Sequence, residues 1–298
     1  MSYRLGLTLD LAREVLRVEH DELERAFCEL EHPDAKGIHE ARKHIKKLRA
    51  LLHLTRPVLG RAAFELAEDE LRQAGRALAG ARDRDALLEA FDRVVAAVAE
   101  HAESGPASDG LAPLRGRLGE SDAPLGQGLA TARDILATRL SQLDQRELKL
   151  GRRELVEGIA DTYERGRKRL KKLRPGSPSE AFHDYRKQVK YHQHHLALIE
   201  NAWPEALSLR RGQTDRLGEA LGQHHDLAAL EQALAQLAFE QPEIDAALQL
   251  VKKQIPIERE KLESETLALG ARLYIEPPEA FAARIGGYVS LARDRSGS

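Results

Sequence analysis

A histidine followed three positions later by an arginine, and then by lysines, occurs twice in this chain. The copies are His39-x-x-Arg42-Lys43-x-x-Lys46 and His183-x-x-Arg186-Lys187-x-x-Lys190, 144 residues apart. At about 100° per residue, His39, Arg42, Lys43, Lys46, Arg49 and His53 share one side of a helix, a stripe of about 120°. His183, Arg186, Lys187, Lys190 and His194 line the matching side in the second copy, and both stripes are expected to be free of acid. Such a set suits a polyanion. Arginine grips two oxygens in a fork, lysine brings a mobile point charge, and histidine donates as a neutral or charged ring.

Other cations extend the candidate ligand set. Lys47 adjoins the first stripe. The run from Arg165 to Arg174 holds seven Lys and Arg and no acid, and within it Arg165, Lys168, Arg169 and Lys172 share a face. Arg25 precedes His39 by the same 14 positions that separate Arg169 from His183. Arg72, Arg76, Arg82 and His225 complete the set. Asp83 and Asp226 occupy matched places after Leu78-Ala79-Gly80 and Leu221-Gly222-Gln223; N-capping, or orienting a site arginine, is the expected role of each. His20, His32, His44, His101, His192 and His195 lie off the stripes and are expected in packing or at the surface.

The elements that must carry these residues are helices. Opposite the first stripe lie Ala41, Ile45, Leu48 and Leu52, and opposite the second lie Tyr185, Val189, His192 and Leu196, so each helix packs on one face and presents cations on the other. Apolar residues recur at helical spacing almost throughout. Helices are expected from about residue 8 to His32-Pro33, 35–56, 61–81, from about Asp83 to Ser104, 128–143, 148–173, 179–201, 204–222, 226–239 and 242–269, with a last one after Pro277-Pro278. Residues 104–126 read as a loose connection enclosing a short helical turn. No segment alternates as a strand would. The expected fold is all-α: two related helical bundles, residues 1–147 and 148–298.

Composition narrows the class. The chain has 298 residues, 42% hydrophobic and 32% charged, with 4% aromatics, which suits a helical, soluble protein. Its formal net charge of −2 averages over surfaces a ligand never meets, so the clustering of cations is the better guide. The single Cys28 excludes an internal disulfide and a multi-cysteine zinc site, and a cytoplasmic address is expected. No stretch of 18 apolar residues exists to span a membrane, and the N-terminal residues lack the core of a signal peptide.

The repeated histidine motifs, with the Leu78…Arg82-Asp83 and Leu221-Gly222…His225-Asp226 steps, resemble the CHAD domain, an α-helical module named for its histidines. The resemblance covers nearly the whole chain. It implies two bundles related by a pseudo-two-fold axis, with a basic pocket or channel between them that binds inorganic polyphosphate, and it makes polyphosphate granules a further expected partner. Ala79 stands where the motif has glycine, and Gln193 replaces the cation found at Arg49. Binding is then expected to be non-catalytic, steeply salt-dependent and tighter at mildly acidic pH.

Two other readings compete. His183-Asp184 and His224-His225-Asp226 suggest a metal-dependent phosphohydrolase, but the first copy places Ala81-Arg82-Asp83 opposite the second set, and arginine is no ligand. No metal or cofactor is therefore expected. Nucleic acid would be held only non-specifically, since aromatics for base stacking are scarce.

Overall fold

The computed structural model describes residues 3–8, 10–31, 33–79, 81–99, 109–120, 125–143 and 146–296, with backbone alone at 81–83, 125–127, 295 and 296. His32 and His101 lie outside the described residues. The architecture is all-helical: α1 (Leu11–Cys28), α2 (Ala35–Thr55), α3 (Arg61–Ala77), α4 (Ala81–Ala99), α5 (Leu111–Gly119), α6 (Leu125–Leu143), α7 (Arg152–Leu170), α8 (Ser179–Leu198), α9 (Pro204–Ala235), α10 (Pro242–Leu273) and α11 (Pro278–Ser296). Among the described residues there is no strand, and no helix is long and apolar enough to cross a membrane.

Local chemistry starts these helices where it should. The Asp10 carboxylate accepts the Arg13 amide at 2.9 Å and the Asp34 carboxylate accepts that of Gly37 at 2.6 Å, each supplying one of the acceptors a first turn lacks. Pro204, Pro242 and Pro278 open α9, α10 and α11, where a missing N–H costs nothing and a fixed φ helps.

Three apolar cores hold the helices together. The first joins α1, α2, α3 and α6 through residues such as Leu23, Ile45, Leu71 and Leu136. Arg146, and Arg139 of α6, converge there on the buried Glu19 of α1, Arg146 at 2.8 Å. The second gathers Leu155, Ile159, Tyr185, Val189, Leu217, Leu221, Phe281 and Ile285 from α7, α8, α9 and α11. The third takes Phe91 and Val94 of α4 and Leu114 of α5 together with Leu227, Leu230, Leu248 and Val251 of α9 and α10. Helices from early and late in the chain thus share this last core.

One expected boundary is corrected by the structure. Gly222 and Asp226 were expected to end one helix and cap the next, but α9 runs unbroken from Pro204 to Ala235 with Asp226 in its interior. A helical glycine costs about 1 kcal/mol relative to alanine. Here Gly218 and Gly222 face α8 side chains, and burial of Leu217, Leu221, Leu227 and Leu230 on both sides of them carries the helix through.

Where α7 lies on α2, Gly158 sets the approach: a Cβ there would meet the Leu54 carbonyl oxygen at 1.9 Å. Gly158→Ala is expected to lower stability by about 1–3 kcal/mol. Gly212→Ala, in open space on α9, should raise it by about 0.5–1 kcal/mol. Urea unfolding followed by far-UV circular dichroism checks both.

Candidate polyanion site at the crossing of two basic helices

The apolar backs of both basic helices are buried as their phase requires: Ala41, Ile45, Leu48 and Leu52 on α2, and Tyr185, Val189, His192 and Leu196 on α8. The two helices cross near their C-terminal halves. His195 Nε2 meets the Ala50 carbonyl at 2.7 Å, and the His53 and Tyr191 rings stack at 4.1 Å. His39 and His183 therefore stand about three turns, on the order of 16 Å along each helix axis, from the crossing.

What the crossing does bring together is the later part of each stripe. His194 lies among Lys190, Lys47 and Lys46, and burial, first, and then these ammonium groups push its imidazole down to about 3. Tyr3 sits edge-on to His194 with ring centroids 5.9 Å apart, and Lys47 Nζ lies 5.3 Å from the Tyr3 centroid. Cations from both copies of the repeat converge here.

Along α8, the cations lie in a groove against α9. A Cβ at position 218 would fall 3.0 Å from Lys190 Nζ, and one at 222 would fall 3.8 Å from Arg186 Nη2. The two glycines, four residues apart on one face of α9, leave room for the two cations. The sequence motif contained Gly222 but gave it no such role, and Gly218 was not singled out, although their helical spacing was the available signal. Burial lowers both cations below their ordinary values, and Arg186 lowers Lys190 further. Among the described residues neither forms an ion pair: Asp226 acts on Arg186, and Asp215 and Glu219 on Lys190, only at longer range. Lys190 donates instead to the Gln193 amide oxygen at 3.0 Å, and Gln193 donates on to Asp215. Gln193 thus ties Lys190 to α9 where the first copy has Arg49.

At the start of α8, His183 and His225 place their rings 4.8 Å apart. Burial, followed by Lys187, His225 and Arg186, lowers His183 to about 4. Asp226 is raised by burial, against the pull of Arg93 and Arg186, and its carboxylate lies 3.5 Å from Arg93 of α4. It lies near two arginines and inside α9, so it is not a cap. Arg93 is a neighbour of the site that the sequence did not single out.

The remaining candidates spread outward, most of them with acids attached, and this corrects the expectation of acid-free stripes. Lys43 pairs with Glu40 at 2.7 Å, while Asp184 takes Lys187 at 3.1 Å and Arg169 at 2.8 Å. His39 Nε2 lies 4.0 Å from Glu40. Side chains at neighbouring helical phases reach across the edge of a stripe, which a wheel drawn from Cα angles ignores. Lys47 and Arg25 both bond the buried Glu22, at 3.1 and 3.2 Å, and Glu22 also holds His44. Arg49 and His53 share Glu68, whose carboxyl is held down to about 2 against the opposing effect of burial by hydrogen bonds from His53 and Arg49. Arg165 pairs with Asp161, Lys168 with Glu164 and Arg72 with Asp69. Arg42 donates to the Leu78 carbonyl at the end of α3, at 3.0 Å. Arg76 is exposed on α3, Lys172 is exposed in the turn after α7, and the side chains of Arg82 and Asp83 are outside the described residues.

Of the off-stripe histidines, His44, His192 and His195 are buried and His20 is half-buried. Trp203 is half-exposed, its ring edge-on to Tyr288. Among the described residues no three His, Cys, Asp or Glu side chains gather as a metal ion would need.

Comparison with known proteins places this architecture. The structure is similar to that of PptA from Streptomyces chartreusis, with a TM-score of 0.61 and 18% sequence identity over 88% of this chain and 98% of that one. It is similar also to the CHAD domain from the plant Ricinus communis, with a TM-score of 0.59 and 18% identity over 93% and 94% of the two chains. No curated protein sequence matches. The family model for the CHAD domain matches residues 10–235, which include both histidine motifs, the α2–α8 crossing and the glycine-lined groove, and the chain belongs to the CHAD-domain family.

Proposed function

We propose that this chain binds inorganic polyphosphate, without transforming it, along the groove where α8 lies on α9 and at the crossing of α8 with α2. One observation carries this reading: Arg186 and Lys190 are largely buried beside one another and form no ion pair among the described residues. Burying charge is costly unless an opposite charge compensates it. A chain of phosphates supplies that compensation at several points at once. It could continue from Arg186 and Lys190 to His194, Lys46 and Lys47, and outward to His39, Arg42, Lys43, Arg169, His183, Lys187 and His225.

The same geometry weighs on the alternatives. A metal-dependent phosphohydrolase needs further ligands beside His183 and His225, and no such group is gathered among the described residues. A nucleic-acid reader needs free rings to stack on, whereas Phe182 and Tyr185 on the basic helix face into the second core and Tyr191 is buried against His53. Polyphosphate granules, as a condensed form of the same ligand in a cytoplasm, are the matching cellular partner.

Lys190→Met and Arg186→Met should each weaken long-chain polyphosphate binding by roughly 10- to 100-fold, the loss of a charge-assisted contact. Neither should lower thermal stability, because each removes a buried charge that forms no ion pair among the described residues. Lys168→Met, on an exposed paired lysine, should change affinity less than about threefold. Titration calorimetry and thermal melts read the two effects separately, and DNA matched in phosphate concentration should fail to displace the bound polyphosphate.

Protonation adds a dependence with a defined sign. The free His183 imidazole lies at about 4 and that of His194 at about 3, so both are neutral at pH 7. Bound phosphate favours the charged ring and raises both values. Affinity is therefore gained as pH falls through the bound-state values toward the free ones, and binding at pH 5 should exceed that at pH 8 at fixed ionic strength. Replacing both histidines by glutamine should flatten the profile.

A further inference from the structure

Three of the four histidines named at the proposed site are followed at once by an acid: His39-Glu40, His183-Asp184 and His225-Asp226. In the two copies of the repeat the acid does the same thing. Glu40 takes Lys43 three residues on at 2.7 Å, and Asp184 takes Lys187 three residues on at 3.1 Å. Asp184 also reaches Arg169 of α7 at 2.8 Å. We propose, given the polyphosphate site above, that Glu40 and Asp184 are built-in counter-anions which the incoming phosphate chain displaces, setting how tightly and with what salt dependence the site holds it.

Exposure and packing support displacement. The side chains are 51% and 32% exposed in the Lys43–Glu40 pair, and 42% and 39% in the Lys187–Asp184 pair. Pairs this open are weak, because water and salt screen them and two long side chains must be held still. A phosphate oxygen can take either cation without breaking a buried contact. By contrast, Glu22 and Glu68 hold Lys47 and Arg49 from positions that are 1% and 20% exposed, and these acids stay in place. The charges of Lys43, Lys187 and Arg169 are thus balanced by these acids until a polyanion arrives, while Arg186 and Lys190, which form no ion pair among the described residues, supply the attraction.

Displacement has a signature that mere positioning lacks. A carboxylate freed from its lysine gathers a cation from solution, offsetting one of the counterions that phosphate binding releases. With the carboxylate removed there is nothing to offset. Asp184→Asn should therefore bind long-chain polyphosphate about two- to fivefold more tightly at low salt. Its plot of log affinity against log salt should be steeper by roughly 0.7–0.9, and Glu40→Gln should act likewise and add to it. Glu65→Gln, which removes the same charge from an exposed pair with Arg61 on α3, sets the background and should leave the slope unchanged.

The measurement is fluorescence anisotropy of end-labelled polyphosphate on the full chain from 50 to 400 mM salt. An unchanged slope or weaker binding in Asp184→Asn, with wild type binding normally, overturns the displacement role and makes Asp184 a positioning residue for Lys187 and Arg169. Failure of the wild-type chain to bind polyphosphate at any salt overturns the site itself, and the displacement role with it.

Discussion

Everything at this site depends on how a helix can turn cations toward a neighbouring helix. Close packing excludes water, and a cation without water needs an anion or space. The chain supplies space on α9, where Gly218 and Gly222 leave a trough for Lys190 and Arg186. It supplies anions elsewhere: Glu22 beneath Lys47, Glu68 beneath Arg49, and Glu19 for the arginines of the first core. Residual positive charge is thereby confined to a few positions, and a net charge of −2 is compatible with strong local attraction for phosphate.

The sequence made much of this legible because periodicity reports burial. The apolar backs of α2 and α8 are the residues their phase names, and Asp34 and Pro204 mark helix starts by satisfying or sparing a backbone donor. What escaped has equally physical causes. Gly222 through Asp226 has the composition of a turn followed by a cap, and only the packing of α9 against α8 makes glycine worth its entropy there. Glu40 and Asp184 sit at the edge of a stripe, where side-chain length rather than Cα angle decides the neighbour. The meeting of Lys46 and Lys47 with His194 is a contact between residues far apart in the chain, and no local pattern encodes it.

The likeness to two solved structures at 18% identity fits a fold whose constraints fall on few positions. Apolar residues at helical phase can be exchanged for others of similar size. A glycine that clears a buried cation, or an acid that neutralises one, has fewer substitutes. In this chain the helices hold charge at a fixed distance from charge.

Helix α9 extends over 32 residues, about 48 Å at 1.5 Å per residue. Its first half is built into the second core and its last turns into the third, with the trough near its midpoint. Such a rod links the two cores through the trough between α8 and α9. A tilt of only about 5° there, amplified over some 24 Å of half-length, would carry the far end about 2 Å. The third core, which makes none of the proposed phosphate contacts, is thereby joined to the groove by one continuous helix.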